Sequence, residues 1–395
     1  MTERLYYTDP YLTEFDANVI RVETHEGRPA AVLDRTAFYP TSGGQPFDIG
    51  TLGDTSVVDV VDRDDGVILH VVEGTITTGR VHGALDWPRR FEHMQQHTGQ
   101  HVLSAAFDRL AGARTESFHL GSVSSTIDVN RTVPPTEIDR VEHEANRIVW
   151  EDRPVAIRFV DADEAARLPL RKEPARTGTL RIIEVQDFDI SACGGTHVAR
   201  TGAIGSILVR STEKFRGGTR VEFVCGVRAL RGYRELRDAV DGSTRLLSVL
   251  PPDLPAGITR LQAELKDTKG TIKHLQITLA TFEGLYLADR AEAVGSIRAV
   301  VSFVGGWDQN GLKSVATAIT GRRPGHVVAL FSASHPFSAV IARASDVTID
   351  CAALLKQLVE RFGGKGGGRP DLAQGGGLQG TPEEIGTFVR SLIAG

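Results

Sequence analysis

Two histidines four residues apart, in Gln95-Gln96-His97-Thr98-Gly99-Gln100-His101-Val102-Leu103-Ser104, and a distant Cys193-Gly194-Gly195-Thr196-His197 constrain this chain more than any other feature. The first segment has helical character, so both imidazoles project from one face of an α-helix about one turn apart. In the second, two glycines let the backbone fold tightly around an ion. Three imidazoles and a thiolate form a borderline-soft donor set that suits tetrahedral Zn²⁺ better than Mg²⁺ or Ca²⁺, which want oxygen. One zinc ion per chain, held by His97, His101, Cys193 and His197, is therefore expected. His93 stands one turn before His97 and is the alternative ligand.

At 395 residues, with 41% apolar and 24% charged side chains, the chain reads as a soluble globular protein of two or three domains. No apolar run approaches the roughly 18 to 20 residues of a membrane helix, and the start, from Met1 to Asp9, has no signal-peptide core, so a cytoplasmic location is expected. The three cysteines, Cys193, Cys225 and Cys351, are an odd number without a C-x-x-C pair, which argues for reduced thiols. A formal net charge of -5 argues against a protein that coats nucleic acid through bulk positive charge. Local cationic groups remain: Arg89-Arg90; Arg167, Arg171, Lys172, Arg176 and Arg181; Lys214, Arg216 and Arg220; Lys365 and Arg369. Each such group is more often a solvated face than a phosphate contact.

Along the chain, short β-rich runs at 17–24, 28–33, 56–61 and 67–72 predict a small β-barrel or sandwich over residues 1–85. Within it lies a glycine-centred loop, Ala37 to Pro46, which is either a tight turn or a place where a ligand approaches the backbone while Gln45 presents donors and an acceptor. Residues 86–226 read as an α+β domain around the two metal segments: a helix from about 86, strands at 117–121 and 124–129, a helix at 134–152, and strands at 155–159, 179–185, 204–211 and 221–225. His119 reads as a buried, hydrogen-bonded residue, with catalysis as the alternative, and Cys225 as a packed apolar one. The carboxylates of Asp187 and Asp189, just before Cys193, either orient ligand imidazoles or face solvent.

Residues 227–292 read as a helical linker cut by Pro251-Pro252. Ile258, Leu261, Leu265, Thr268, Ile272, Leu275, Leu279, Phe282 and Tyr286 recur three and four apart as a coiled-coil seam, which either pairs two subunits or folds back on the preceding helix. Residues 293–395 alternate strand and helix, with strands at 299–304, 327–332 and 338–343 and helices at 309–320, 350–361 and 381–393. The glycine-rich run from Gly363 to Gly377 suggests backbone amides that contact an anion, with Lys365 and Arg369 adding charge; the plainer alternative is a flexible tail.

The His97-Thr98-x-x-His101 and Cys193-Gly194-Gly195-Thr196-His197 motifs, the Phe38 to Gln45 loop and the Gly363 to Gly377 signature together resemble the alanyl-tRNA editing proteins of the AlaX family in its long form. The resemblance spans nearly the whole chain. It implies a barrel and a zinc-containing α+β editing domain, a coiled-coil linker and a C-terminal α/β DHHA1 domain, equivalent to the second half of an alanyl-tRNA synthetase without its aminoacylation domain. The implied activity is zinc-dependent hydrolysis of the aminoacyl ester of tRNA(Ala) wrongly charged with serine or glycine. The implied partner is that tRNA, and the coiled coil or DHHA1 domain offers a route to a homodimer.

A site that hydrogen-bonds the serine hydroxyl rejects alanine better than an apolar pocket does, which makes Thr98, Gln45 and Thr126 candidates. Thr98 and Gln45 are assigned as catalytic, and Ser42, Gly43, Gly44, Thr126, Lys365 and Arg369 as substrate or tRNA contacts. Where many relatives carry three glycines before the loop glutamine, this chain has Ser42-Gly43-Gly44. A DHHA1 domain also follows DHH phosphoesterases, but no Asp-His-His motif stands upstream of it here. The stronger rival is a non-catalytic tRNA-binding protein with a structural zinc, because four protein ligands normally close a zinc site.

Overall fold

Alternating apolar residues fold the N-terminal segment into a closed barrel. In the computed structural model, which describes residues 1–172 and 178–395, β1 (Glu3–Arg4) is followed by β2 (Glu14–His25), β3 (Arg28–Leu33) and β4 (Arg35–Thr36), which pairs in parallel with β1. Next come β5 (Gly50–Leu52), β6 (Thr55–Asp62), β7 (Ile68–Glu73) and β8 (Gly79–Leu85), and the barrel closes in the order β2-β3-β7-β6-β5-β8. Phe15, Ala17 and Val19 alternate inward along β2 and meet Leu33, Phe38, Leu52, Val60 and Ile68. Such a barrel is filled by side chains.

The chain then enters α1 (Trp87–Ala111), started by an Asp86 cap that accepts the Arg89 N–H and stopped at Gly112, whose φ of 55° suits glycine. It continues through β9 (Thr115–Leu120), β10 (Ser125–Val129), α2 (Pro135–Trp150), β11 (Val155–Val160), the short α3 (Ala162–Ala165), β12 (Leu180–Val185), β13 (Asp189–Ala192), β14 (Ile207–Phe215) and β15 (Gly218–Cys225). These strands form two antiparallel sheets, β14-β15-β10-β9 and β11-β12-β13. Met94, Leu103 and Phe107 of α1 share one core with Ile138 and Ile148 of α2 and with Ile127, Val221 and Phe223 of the first sheet. Gly99 makes the close approach possible, since a Cβ there would stand 2.3 Å from the Cys225 sulfur. Cys225 is indeed fully buried, and burial pushes its thiol up.

The chain divides into two units, Met1–Gly242 and Ser243–Gly395, with α4 (Val227–Leu247) spanning the division. The second unit holds α5 (Leu254–Ala288), β16 (Glu292–Val294), β17 (Ile297–Val304), α6 (Gln309–Thr320), β18 (His326–Ser332), β19 (Phe337–Arg343), α7 (Cys351–Phe362), β20 (Lys365–Arg369), β21 (Leu372–Leu378) and α8 (Pro382–Ala394). Its sheet runs β16-β17-β18-β19-β21-β20, with β17 and β18 parallel and the other neighbours antiparallel. The glycine-rich run folds as an edge hairpin rather than a tail, and the glycines are needed where the strands and α7 crowd together. A Cβ at Gly366 would stand 2.7 Å from the Gly375 Cα and 2.9 Å from Leu355.

The C-terminal end of α5 packs inward, where Ala280, Leu287 and Ala288 join Leu312, Val315 and Ile319 of α6. Its apolar seam is open: Leu261, Leu265, Leu275, Leu279 and Phe282 are all exposed. Among the described residues, no helix is long and apolar enough to cross a membrane.

Candidate metal centre

α1 supplies His97 and His101 from one buried flank, and the turn after β13 supplies Cys193 and His197. One ligand atom from each of the four lies within 4.8 Å of the others, so the group can hold a metal ion. The Cys193 sulfur is 3.3 Å from Nε2 of His97 and 3.3 Å from Nε2 of His197. The ring centroids of His97 and His197 are 4.4 Å apart, and those of His101 and His197 4.7 Å. His93 is not part of the group.

Each imidazole is held from behind through Nδ1. His97 Nδ1 meets the Gln45 side-chain oxygen at 2.8 Å, His101 Nδ1 meets Asp189 at 3.0 Å, and His197 Nδ1 meets the Thr98 hydroxyl at 3.2 Å. A protonated Nδ1 in these pairs leaves the Nε2 lone pair free for a metal. The Gln45 oxygen also accepts the Thr196 N–H at 3.1 Å, and its amide donates to the Thr196 hydroxyl at 2.8 Å. Asp189 is anchored in turn by Arg171 at 2.7 Å and Ser191 at 2.9 Å.

Gly43 and Gly44, with φ of 52° and 80°, form a two-residue turn closed by reciprocal Ser42 and Gln45 backbone bonds, and this turn aims Gln45 at His97. Of the two readings of that loop, the tight turn describes the backbone. Gly195 clears the space for the His97 ring, because a Cβ there would stand 2.1 Å from the ring carbon Cε1. Arg181 clamps the same loop by donating to the carbonyls of Cys193 at 2.7 Å and Gly195 at 2.9 Å.

The four side chains polarise one another. Burial opposes charge on His101, yet its contacts with Asp189 and Cys193 raise its pKa to about 9. Burial likewise opposes a charged Asp189, but His101 and Arg171 hold it at about 2. Burial opposes the Cys193 thiolate too, and the surrounding imidazoles still bring its pKa well below the ordinary thiol range. A thiolate is the ligand form.

The other expected contacts are placed less simply. Thr98 and Gln45 are fully buried and committed to the ligand-holding bonds above, so neither stands free at a surface. Thr126 lies on the face of β10 away from α1, since Ile127 and Val129 point into the α1 core and successive strand residues alternate. Its neighbour Ser125 faces inward and is fully buried, and among the described residues its hydroxyl has no hydrogen-bond partner. His119, expected to be buried, is exposed on the edge strand β9.

Among the cationic groups, Arg90 is fully buried in an ion pair with Asp48 and also donates to the carbonyls of Pro10 and Ala37. Arg181 and Arg171 serve the centre, and Arg176 lies outside the described residues. Lys365 and Arg369 are exposed on β20, in the second unit. Asp48 and Ser191 had no sequence signal, and Thr196 only its place within the Cys193 to His197 motif. Asp189 had one, its proximity to Cys193.

Known families and relatives agree with this architecture. The "Threonyl and Alanyl tRNA synthetase second additional domain" matches residues 180–222, and the DHHA1 domain matches 296–394. The first of these modules is one that the chain shares with threonyl and alanyl tRNA synthetases. The alanyl-tRNA editing protein AlaX-L of Pyrococcus horikoshii is 33% identical over 98% of this chain and 96% of its own length. The alanine–tRNA ligase of Pyrococcus furiosus is 35% identical over 95% of this chain but only 42% of its own length. A solved structure, the C-Ala domain from Aquifex aeolicus alanyl-tRNA synthetase, aligns with 27% of this chain and 98% of its own at 23% identity and a TM-score of 0.25. The chain belongs to the alanyl-tRNA editing proteins of the AlaX family.

Proposed function

We propose that this chain deacylates tRNA(Ala) wrongly charged with serine, and also with glycine, acting in the cytoplasm on an ester that a synthetase has already formed. The observation that carries the reading is the convergence of three Nε2 atoms and one sulfur, each imidazole fixed from behind, in a chain similar over its full length to an alanyl-tRNA editing protein. His97, His101, Cys193 and His197 would hold one Zn²⁺, which when bound supplies a Lewis acid for the ester carbonyl and lowers the pKa of water beside it.

The protein's own residues position that centre. Gln45 and Thr98 act by holding His97 and His197, and Asp189 by holding His101. Cys193 is the one partly exposed ligand, so the ester approaches on its side. For serine, Thr98 acts through His197, whose Nδ1 it meets at 3.2 Å while its hydroxyl oxygen accepts the Val198 N–H at 3.1 Å. Ser125, buried with no hydrogen-bond partner among the described residues, is the hydroxyl that β10 turns inward where Thr126 does not. Lys365 and Arg369 are proposed to meet tRNA phosphates, and the open seam of α5 or the DHHA1 domain to pair two copies.

A full set of four protein ligands favours a second reading, a tRNA-binding protein with a structural zinc. Hydrolysis of Ser-, Gly- and Ala-tRNA(Ala) by wild type, Thr98→Val and Ser125→Ala separates the two. Deacylation at least tenfold faster for serine than for alanine, with the ratio eroded in the variants, supports editing. Absence of deacylation from every charged tRNA rejects it in favour of the binding protein.

A further inference from the structure

A second recess in the first unit has no part in the metal centre. It is a cleft of about 440 Å³ where the first turns of α1 meet the start of α4 and the turn between β9 and β10, lined chiefly by Trp87, Arg89, Phe91, His93, Arg228 and Arg231. Its size falls within the range of about 300 to 1,000 Å³ of small-ligand sites. Trp87 and Phe91 form an aromatic wall, with ring centroids 5.4 Å apart and planes 37° from parallel.

The charge in this cleft is unbalanced toward cations. One carboxylate, Glu92, serves two guanidinium groups, Arg228 at 2.7 Å and Arg231 at 3.2 Å. The other, Asp86, is taken up by the Arg89 backbone N–H. The Arg89 guanidinium donates to the Phe47 carbonyl and rests over the Phe47 ring, and among the described residues no carboxylate pairs with it. Arg228 is almost fully buried and also donates to the Gly121 carbonyl, which makes it a fixed charge, whereas Arg231 is exposed and shares Glu92 with it.

We propose that this cleft binds a nucleotide of the single-stranded 3′ end of the substrate RNA, next to the one that carries the amino acid. Aromatic faces with neighbouring guanidinium groups are the chemistry that stacks an unpaired base and takes its phosphate. The location fits, because His93 in the cleft wall stands four residues, about 6 Å of helix rise, before the metal ligand His97. In this assignment an acyl-bearing ribose at the metal centre has its neighbouring nucleotide in the cleft, one turn of α1 away. This assignment rests on the editing function proposed above.

The test is fluorescence anisotropy of an uncharged hairpin RNA ending in CCA, and of the same hairpin lacking its last two nucleotides, with the full chain as wild type, Arg231→Glu, Arg231→Lys and Trp87→Ala. Affinity for the CCA-ended hairpin is expected to fall about tenfold for Arg231→Glu and Trp87→Ala and to stay within about threefold for Arg231→Lys, while the trimmed hairpin binds all four proteins alike. Equal affinities across the variants, a loss that does not depend on CCA, or a wild type indifferent to CCA would overturn the inference. Deacylation is read separately: a wild type that binds CCA-ended RNA in this pattern yet hydrolyses no ester keeps the cleft and removes the editing reading.

Discussion

Gln45 and His97 stand 52 residues apart in sequence and are joined by a 2.8 Å hydrogen bond. The same Gln45 oxygen accepts from the Thr196 backbone, so one side chain ties the barrel turn to α1 and to the Cys193 loop. Replacing Gln45 with Leu frees the His97 ring and leaves the buried Thr196 N–H without its acceptor. Because partners that orient metal-bound histidines are typically worth 10- to 100-fold in metal affinity, zinc binding is predicted to weaken by about that factor. Competition titration against a chelator measures it, and an affinity equal to wild type would show that Gln45 does not position the ligand.

Gly195 and Gly43 make a matched pair. A Cβ at Gly195 would overlap the His97 ring, whereas one at Gly43 meets nothing within 4 Å and bears only the cost of its φ of 52°. Gly195→Ala is expected to abolish stoichiometric zinc binding, and Gly43→Ala to retain it with a stability loss of about 1 kcal/mol. Metal content of the two purified proteins distinguishes them.

The buried Arg90 and Asp48 pair predicts a stability effect rather than a catalytic one. Removing one partner leaves an uncompensated charge with both side chains fully buried, so Arg90→Met should destabilise the first unit by about 3 to 5 kcal/mol. Urea denaturation followed by tryptophan fluorescence is the measurement; a change under about 1 kcal/mol would contradict it.

His70 gives the barrel a pH dependence. Burial lowers its pKa to about 4, against about 6.5 for an unfolded histidine, despite the Ala31 carbonyl contact that acts the other way. The unfolded chain therefore takes up a proton that the folded one refuses, and stability present above about pH 6.5 is lost as pH falls toward 4. The loss is of the order of 3 kcal/mol. His70→Gln should flatten that part of the urea-midpoint profile, and an unchanged slope would assign it to other groups.

The group of four that could hold a metal was legible because helix spacing and a Cys-x-x-x-His turn are local patterns, and the structure brings those four residues together. The residues behind the ligands were not, because they arise from contacts between distant segments. Gln45 carries no mark that it turns toward a histidine rather than toward a ligand. Thr126 and Ser125 differ by one position, and the sequence alone does not say which faces α1; a one-residue step along a strand exchanges the faces. Arg90 and Arg181 look like parts of basic patches until burial shows that they bind carboxylate and carbonyl groups within the fold. Apolar periodicity marks the N-terminal segment as a small barrel or sandwich, and it finds the central α+β domain and the strands at β17, β18 and β19 of the second unit, but not the short edge strand β16. In the glycine-rich run periodicity fails, since glycine has no side chain to pattern, and the pairing of β20 with β21 is visible only in the fold.

The metal centre is the proposed seat of ester hydrolysis. Single-turnover hydrolysis of Ser-tRNA(Ala) should be measured for wild type, chelator-treated wild type, the treated protein with one equivalent of zinc restored, and His97→Ala. The prediction is activity in the first and third samples and at least a hundredfold loss in the second and fourth. Full activity in zinc-free protein, with removal of the metal confirmed, would contradict it.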